Sequence, residues 1–156
     1  YLGLGDLFVF IFFGLVSVLG TYYAHTLSLD SQALWLALCC GFQGMSLIAV
    51  NNLRDIPTDI RAGKKTLSVR LGDRPSRLYV AVLAILPFVC WLPLAAHISS
   101  NWASTLPALA LPLAIANAVR GFTIEDRREF NQLLARFAAL QVLFGALAAA
   151  SLVLSR

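Results

Sequence analysis

The chain has 156 residues, of which 59% are hydrophobic and only 13% are charged, with a formal net charge of +4. Soluble domains carry about 25% charged residues, so this composition excludes an ordinary soluble protein. Four long segments, the longest between Arg77 and Arg120, contain no Asp, Glu, Lys or Arg. A helix needs about 20 apolar residues to cross a bilayer. Three segments fit one crossing each and the longest fits two, which predicts five transmembrane helices.

In chain order, the helices are predicted at residues 6–24, 33–53, 78–96, 102–119 and 133–154, with a polar turn at 97–101 between the third and fourth. The pairs Gly5-Asp6 and Asp30-Ser31 offer capping side chains at the first two starts. The alternative, a soluble all-α protein, is disfavoured because 156 residues cannot bury five helices that are apolar on nearly every face. Kinks are expected at the prolines of the third and fourth helices, Pro87, Pro93, Pro107 and Pro112.

Small residues predict close contacts between helices, at Gly14, at Gly41 with Gly44, and at Gly145 with Ala149. The three cysteines, Cys39, Cys40 and Cys90, fall inside predicted helices without a metal-binding spacing, so we interpret them as packing residues. We expect residues 1–156 to form a single transmembrane helical domain. The chain begins with Tyr1 instead of Met, and we expect it to be a piece of a longer protein.

The basic residues predict the orientation of the helices. Seven of the twelve Lys and Arg residues lie in the connection at 54–77 and four lie at 120–136. The connections at 25–32 and 97–101 contain none. The positive-inside rule therefore places the two basic connections on the cytoplasmic side of the cell membrane.

The first basic connection carries the pattern that points to chemistry, in the run NNLRDIPTDIRAGKKTLSVRLG at residues 51–72. Positions i, i+4 and i+8 lie along one helix face, so Asn51, Asp55 and Asp59 could present one amide oxygen and two carboxylates to a cation such as Mg²⁺. The basic residues around them could neutralise a diphosphate. These candidate diphosphate-binding residues are Arg54, Arg61, Lys64, Lys65 and Arg70.

Two considerations weaken the pattern. Pro57 removes a backbone donor and disfavours helical geometry at Ile56, so we expect the helix to end or kink between the two aspartates. The simplest alternative is a solvated loop whose charges serve only topology. Ionisable groups at the edge of a membrane helix nevertheless favour a functional site.

The run NNLRDIPTDIRAGKKTLSVRLGD resembles the second aspartate-rich motif of UbiA-type membrane prenyltransferases, and in particular of the dihydroxynaphthoate polyprenyltransferases of menaquinone biosynthesis. The run GLGDLFVFIFFGLVSVLGTYY at residues 3–23 is similar to the segment that precedes the motif. This resemblance implies a nine-helix bundle in which two such motifs face each other and hold Mg²⁺ and a polyprenyl diphosphate. It assigns metal binding to Asn51, Asp55 and Asp59, and makes Asp55 and Asp59 the catalytic residues.

The chain carries only the second motif, so on this resemblance it is the C-terminal part of the bundle and is inactive alone. The implied partners are the N-terminal helices of the same protein, a polyprenyl diphosphate, an aromatic acceptor and membrane lipid, with no nucleic acid. The acceptor that the resemblance implies is dihydroxynaphthoate. Hydroxybenzoate and homogentisate are alternative acceptors, and a phytyl diphosphate is an alternative donor. A rival from another class is a non-catalytic transporter or assembly module, although a transporter would place polar residues near the bilayer midplane.

Three further groups of residues lie outside the motif. Phe12, Tyr22 and Tyr23 could shield an allylic cation, but packing or interfacial roles are favoured. His25 and His97 are interpreted as interfacial residues at the opposite helix ends. The charged cluster at residues 125–129 either caps a helix and forms ion pairs or covers the site as a lid.

Overall fold

The computed structural model describes residues 3–98 and 101–155. Tyr1, Arg156 and the Ser99-Ser100 part of the predicted polar turn lie outside them. The described residues form no strand, and their main helices are α1 (Gly5–Thr26), α2 (Ser31–Arg61), α3 (Leu67–Leu71), α4 (Asp73–Ala95), α5 (Leu111–Thr123) and α6 (Phe130–Leu154). Shorter helical segments lie at Asn101–Ser104, Leu106–Ala110 and Arg127–Glu129. The middle of α1, Phe10–Val16, is π-helical. The short helix α3, inside the first basic connection, was not predicted.

Within the described residues, five helical segments are long and apolar enough to cross a membrane, as predicted: α1, α2, α4, Trp102–Thr123 and Arg127–Leu154. Their outward faces carry large apolar side chains, among them Phe13, Val142 and Val153, each about two-thirds exposed or more. Such a surface suits a hydrocarbon environment, since soluble monomers rarely expose contiguous apolar area on this scale. The chain is therefore a helical membrane bundle.

Helix α2 is the centre of the bundle and contacts α1, α4 and α6. Its contact with α1 is made at backbone level, because a Cβ atom built on Gly14 would lie 2.5 Å from the Cα of Gly41. A Cβ on Gly44 would lie 3.1 Å from Val9. The predicted packing role of these glycines is confirmed. It is wrong for Gly145, where an added Cβ would meet no atom within 4 Å.

Two of the four prolines at which kinks were expected lie at helix starts, and the other two lie inside a helix. Pro107 and Pro112 each lie in the first two positions of a helical segment, where a missing N–H costs little. The predicted fourth helix is consequently divided into Asn101–Ser104, a 3₁₀ segment at Leu106–Ala110, and α5. Pro87 and Pro93 remain inside α4, and Pro57 remains inside α2.

The capping prediction is confirmed at one helix start and wrong at the other. The Asp30 carboxylate caps α2 by accepting a hydrogen bond from the Ala33 N–H at 2.7 Å. The Tyr22 hydroxyl donates to the same carboxylate at 2.5 Å. The Ala33 bond, together with the Tyr22 bond, lowers the pKa of Asp30 below its usual range. Asp6, in contrast, lies within the first turn of α1 and is buried instead of capping it.

The two basic connections meet at one end of the bundle. The Nη1 of Arg77, near the start of α4, donates to the carbonyls of Gly121 at 2.5 Å and Ile124 at 2.9 Å, at the end of α5. The opposite end holds a separate cavity lined in part by Tyr22, Asp30 and His97. The predicted grouping of basic charge at one end is thus confirmed.

Candidate active site

A cavity of about 510 Å³ lies at the basic end of the bundle, between the start of α1 and the last turns of α2. The predicted metal-binding residues, Asn51, Asp55 and Asp59, all line it. Its other lining residues come from α1 and the residues before it, from α2, and from the connection to α3 and the start of α3: Gly3, Leu4, Gly5, Phe8, Ile48, Asn52, Lys64, Thr66 and Leu67. The i, i+4, i+8 spacing therefore does bring the three oxygen-bearing side chains to one cavity.

The sequence predicted that the helix ends or kinks between the aspartates. The predicted end is wrong, because α2 continues through Pro57 to Arg61. A proline inside a helix leaves the carbonyl four residues earlier without its usual donor. Here that carbonyl belongs to Leu53, and it accepts a hydrogen bond from Arg127 Nη1 at 2.6 Å. An external donor thus takes the place of the missing N–H.

Arg54 binds the motif's own side chains. Its Nε and Nη2 donate to the two oxygens of Asp55 at 2.7 and 2.8 Å, which is the bidentate geometry of a strong ion pair. Nη2 also donates to Asn51 Oδ1 at 2.8 Å, and Nη1 donates to Asn131 Oδ1 at 2.7 Å. The guanidinium group therefore joins the motif to α6. Sequence spacing could not show this contact, because Asn131 lies 77 residues away.

Asp59 and Lys64 form the second charged pair. Their side chains are 3.2 Å apart, with the Asp59 side chain only 8% exposed and the Lys64 side chain 43% exposed. The backbone supports the pair, since the Lys64 N–H donates to the Asp59 carbonyl at 2.9 Å. Lys64 is consequently a cation beside the cavity that can still reach solvent.

The structure separates the other predicted diphosphate-binding residues from Lys64. Arg61 donates from Nε to the carbonyl of Pro57 at 3.2 Å, and Lys65 is exposed. Arg70 lies beside Gly3, with its Nε 3.4 Å from where a Cβ on that glycine would be. Among the described residues, Lys64 is the predicted diphosphate contact that lines the cavity, whereas Arg54, Arg61, Lys65 and Arg70 are outside the lining.

Sequence reasoning missed a buried polar group behind the cavity wall. The Asn52 Nδ2 donates to Asp6 Oδ1 at 3.0 Å, and the Tyr79 hydroxyl lies 3.4 Å from Asp6 Oδ2. Asp6 is 4% exposed. A carboxylate at the start of an apolar segment indicates that the group has a functional or structural role. Its partners on α2 and α4 could not be predicted from residue spacing.

The aromatic residues that could have shielded a cation lie elsewhere. Tyr22 is bonded to Asp30 at the opposite end of α1, and Tyr23 is exposed in the same turn. Phe12 is 55% exposed and stacks on Phe8, with ring centroids 6.0 Å apart. Phe8 itself lines the cavity. Among the described aromatic residues, Phe8 is therefore the one placed to shield an allylic cation in this cavity.

Comparison with known proteins identifies the family. Residues 1–141 match the UbiA prenyltransferase family. The chain belongs to this family. A 1,4-dihydroxy-2-naphthoate octaprenyltransferase of Haemophilus influenzae is 37% identical over 147 residues, which are 94% of this chain and 48% of that protein. The protein of the same name from Mycobacterium tuberculosis is 43% identical over 122 residues, covering 76% of this chain and 39% of its own length.

A human relative, UbiA prenyltransferase domain-containing protein 1, is 32% identical over 148 residues, or 93% of this chain and 41% of that protein. The chain thus spans less than half the length of these relatives. No solved structure matches the chain significantly.

The donor set of this UbiA-family chain fits a magnesium ion. Mg²⁺ binds oxygen ligands, takes one or two carboxylates from the protein, and completes its shell with water and substrate phosphates. The cavity offers two carboxylates, Asp55 and Asp59, and the amide oxygen of Asn51. In the part of the chain that the structure describes, no group of three or more His, Cys, Asp or Glu side chains converges as a closed metal site. A site open to a phosphate ligand is consistent with both observations.

Proposed function

We propose that the protein transfers a polyprenyl group from an allylic diphosphate to 1,4-dihydroxy-2-naphthoate, with Mg²⁺ as its cofactor. The observation that carries this proposal is the convergence of Asp55, Asp59 and Lys64 on one cavity at the edge of a membrane bundle. Membership of the UbiA family supports prenyl transfer, and the relatives named as dihydroxynaphthoate octaprenyltransferases support the acceptor.

Asp55, Asp59 and Asn51 are the residues that would hold the metal. When bound, Mg²⁺ neutralises the diphosphate leaving group and so favours ionisation of the allylic carbon–oxygen bond. Lys64 adds positive charge to the same leaving group, because its ammonium is beside Asp59 and partly exposed to the cavity. Arg54 holds the Asp55 carboxylate in one orientation through its bidentate contact.

The prenyl cation released by this ionisation forms a carbon–carbon bond with the electron-rich ring of the acceptor. The acceptor carboxylate leaves as carbon dioxide, and its bonding electrons return to the ring. The apolar part of the donor lies along the membrane-facing surface. Phe8 and Ile48, which line the cavity beside the polar residues, provide the transition between the two environments.

The rest of the protein completes the site in this proposal. Further helices carry the first aspartate-rich motif and face α2, so that the charged cavity described here is one half of the metal–diphosphate site. The active site faces the cytoplasm, since the basic connections lie at this end. A transporter is disfavoured because, among the residues that the structure describes, the charged ones apart from Asp30 gather at or near one end of the bundle.

The proposal is tested with the full protein in membranes or detergent, supplied with Mg²⁺ and an octaprenyl donor. Dihydroxynaphthoate, hydroxybenzoate and homogentisate are compared as acceptors, and a phytyl donor is compared with the octaprenyl donor. We expect transfer to dihydroxynaphthoate with release of diphosphate and carbon dioxide. Transfer only to another acceptor would change the substrate assignment, and the absence of transfer to every acceptor would reject the enzymatic function.

A further inference from the structure

Pro57 lies midway between the two catalytic aspartates of the proposed site, two residues from Asp55 and two from Asp59. Helix α2 remains helical across it. In a regular helix the residue at this position donates its N–H to the carbonyl of Leu53, and proline has no N–H to donate. The Leu53 carbonyl therefore lacks its usual donor within α2. The missing hydrogen bond is the one that would hold the helix together between the two aspartates.

The Leu53 carbonyl is in surroundings where losing a hydrogen bond is costly. The Leu53 side chain is fully buried, in a cluster that includes Ile56, Phe130 and Phe137. Water does not readily replace a missing donor in such a place, so a carbonyl left unpaired there destabilises the helix. The hydrogen bond from Arg127 Nη1, at 2.6 Å, supplies the donor from outside the helix. A guanidinium donor makes a stronger bond than a neutral amide.

Arg127 is itself held in place by further contacts. Its Nη2 is paired with Asp73 at the start of α4. Its guanidinium carbon lies 5.6 Å from the centroid of the Phe130 ring, within cation–π range. The contacts with Leu53, Asp73 and Phe130 fix the direction of the planar guanidinium group. The second basic connection is thereby attached to the motif helix.

We propose that Arg127 is a positioning residue, which replaces the N–H that Pro57 lacks and keeps Asp55 and Asp59 on one face of α2. Without this bond the end of α2 after Pro57 bends or unwinds, and Asp59 moves relative to Asp55. Arg127 acts through the backbone of the motif and is not among the residues that line the cavity. The inference rests on the proposed function for its catalytic consequence, while its structural part can be tested separately.

The decisive experiment compares Arg127→Gln with the double variant Pro57→Ala/Arg127→Gln in the full protein. Arg127→Gln removes the guanidinium, and Pro57→Ala restores a backbone N–H to the Leu53 carbonyl. For Arg127→Gln we expect the Mg²⁺ concentration at half-maximal rate to rise roughly tenfold or more, the size typical of losing a group that orients a metal ligand. For the double variant we expect most of this loss to be recovered, and for Pro57→Ala alone a value near that of the unmodified protein.

Two matched controls separate this role from general loss of charge. Arg128 is an exposed arginine next to Arg127, and we expect Arg128→Gln to leave the Mg²⁺ dependence unchanged. Asp73→Asn weakens the ion pairs that Asp73 forms with Arg127 and Arg77 but leaves the Leu53 carbonyl bond available, so its effect on Mg²⁺ dependence is expected to be smaller than that of Arg127→Gln.

Amide hydrogen exchange provides a readout that does not depend on activity. Arg127→Gln is expected to speed exchange at residues 58–61 while residues 42–50 keep their protection, and the double variant is expected to restore slow exchange. Unchanged exchange in Arg127→Gln, or a double variant that recovers neither exchange nor Mg²⁺ dependence, would overturn the proposal. If the unmodified protein shows no prenyl transfer, the exchange measurement still decides the positioning role and only the proposed function is lost.

Discussion

The side chain of Asn52 donates a hydrogen bond to Asp6 at 3.0 Å and so joins the motif helix to the start of α1. Asn52 lines the cavity, whereas Asp6 is buried behind it. One side of the candidate site is consequently held by a polar contact between two transmembrane helices. Because both partners are partly or fully buried, the contact is expected to matter for folding.

Asp6→Ala is expected to destabilise the protein by about 1–3 kcal/mol, since it leaves the Asn52 amide without its buried acceptor. Asp6→Asn retains an oxygen at the acceptor position and should recover most of that loss. Thermal unfolding of both variants in detergent provides the measurement. Equal unfolding temperatures for Asp6→Ala and the unmodified protein would show that the hydrogen bond adds nothing to stability.

Removing either aspartate of the motif should nearly abolish prenyl transfer. Asp55→Ala and Asp59→Ala each remove negative charge that would hold Mg²⁺ against the diphosphate. Asp126→Ala is the matched control, because Asp126 lies at the same end of the bundle but accepts a hydrogen bond from the Arg128 N–H, and its effect should be much milder. The test is an Mg²⁺ titration of each folded variant. Aspartate variants with normal activity and unchanged metal dependence would restore the interpretation of a solvated loop.

Lys64→Ala should weaken donor binding more than acceptor binding, because Lys64 is the predicted diphosphate contact that lines the cavity. We expect the KM for the polyprenyl diphosphate to rise and the KM for the acceptor to change little. Lys65→Ala should have the smaller effect, since Lys65 is exposed beside the cavity lining. Steady-state kinetics with each substrate varied in turn distinguish these outcomes. A larger donor effect for Lys65 than for Lys64 would contradict the structural ranking.

Thiol labelling of intact cells tests the orientation of the bundle. Cysteines are introduced at Lys65, in the first basic connection, and at Leu29, in the connection between α1 and α2, since both positions are exposed. A membrane-impermeant reagent should label only the Leu29 position from outside. The native residues Cys39 and Cys90 are buried and give little background. Labelling of both introduced cysteines from the same side would contradict the five-crossing topology.

A protein restricted to residues 1–156 should show no prenyl transfer even when it is folded and embedded in a membrane. One pair of carboxylates offers only part of the ligand set that the proposed metal–diphosphate site requires. Activity is measured with the substrates that the full protein accepts, after helix content has been checked by circular dichroism. Robust turnover by these residues alone would show that the second half of the site is unnecessary.

The helix number and the grouping of charge could be predicted because both depend on local sequence. Charge-free segments of membrane length gave five crossings, and the spacing of Asn51, Asp55 and Asp59 gave one helix face. The division of the fourth crossing was missed, because Pro107 and Pro112 were interpreted as kinks inside one helix, whereas each lies in the first two positions of its own helical segment.

The error at Pro57 had a different cause. Propensity alone predicts an interruption there, and the donor that prevents it comes from Arg127, 74 residues after Leu53. The partners of Arg54 and Asp6 could not be predicted from the sequence either, because Asn131 and Tyr79 approach them only after the helices have packed. Composition and periodicity describe each helix separately, whereas these contacts belong to the assembled bundle.

The contact between Gly14 and Gly41 has a consequence for the shape of the cavity. Ile48, at the inner edge of the cavity, lies about 10 Å along α2 from Gly41. A methyl group on Gly14 would meet backbone atoms, which cannot rotate aside as a side chain can. It would therefore force α1 away from α2 and move Phe8, which lines the cavity from α1. Two residues without side chains, remote from every charged group of the motif, thus set the distance between the two helices that line the cavity.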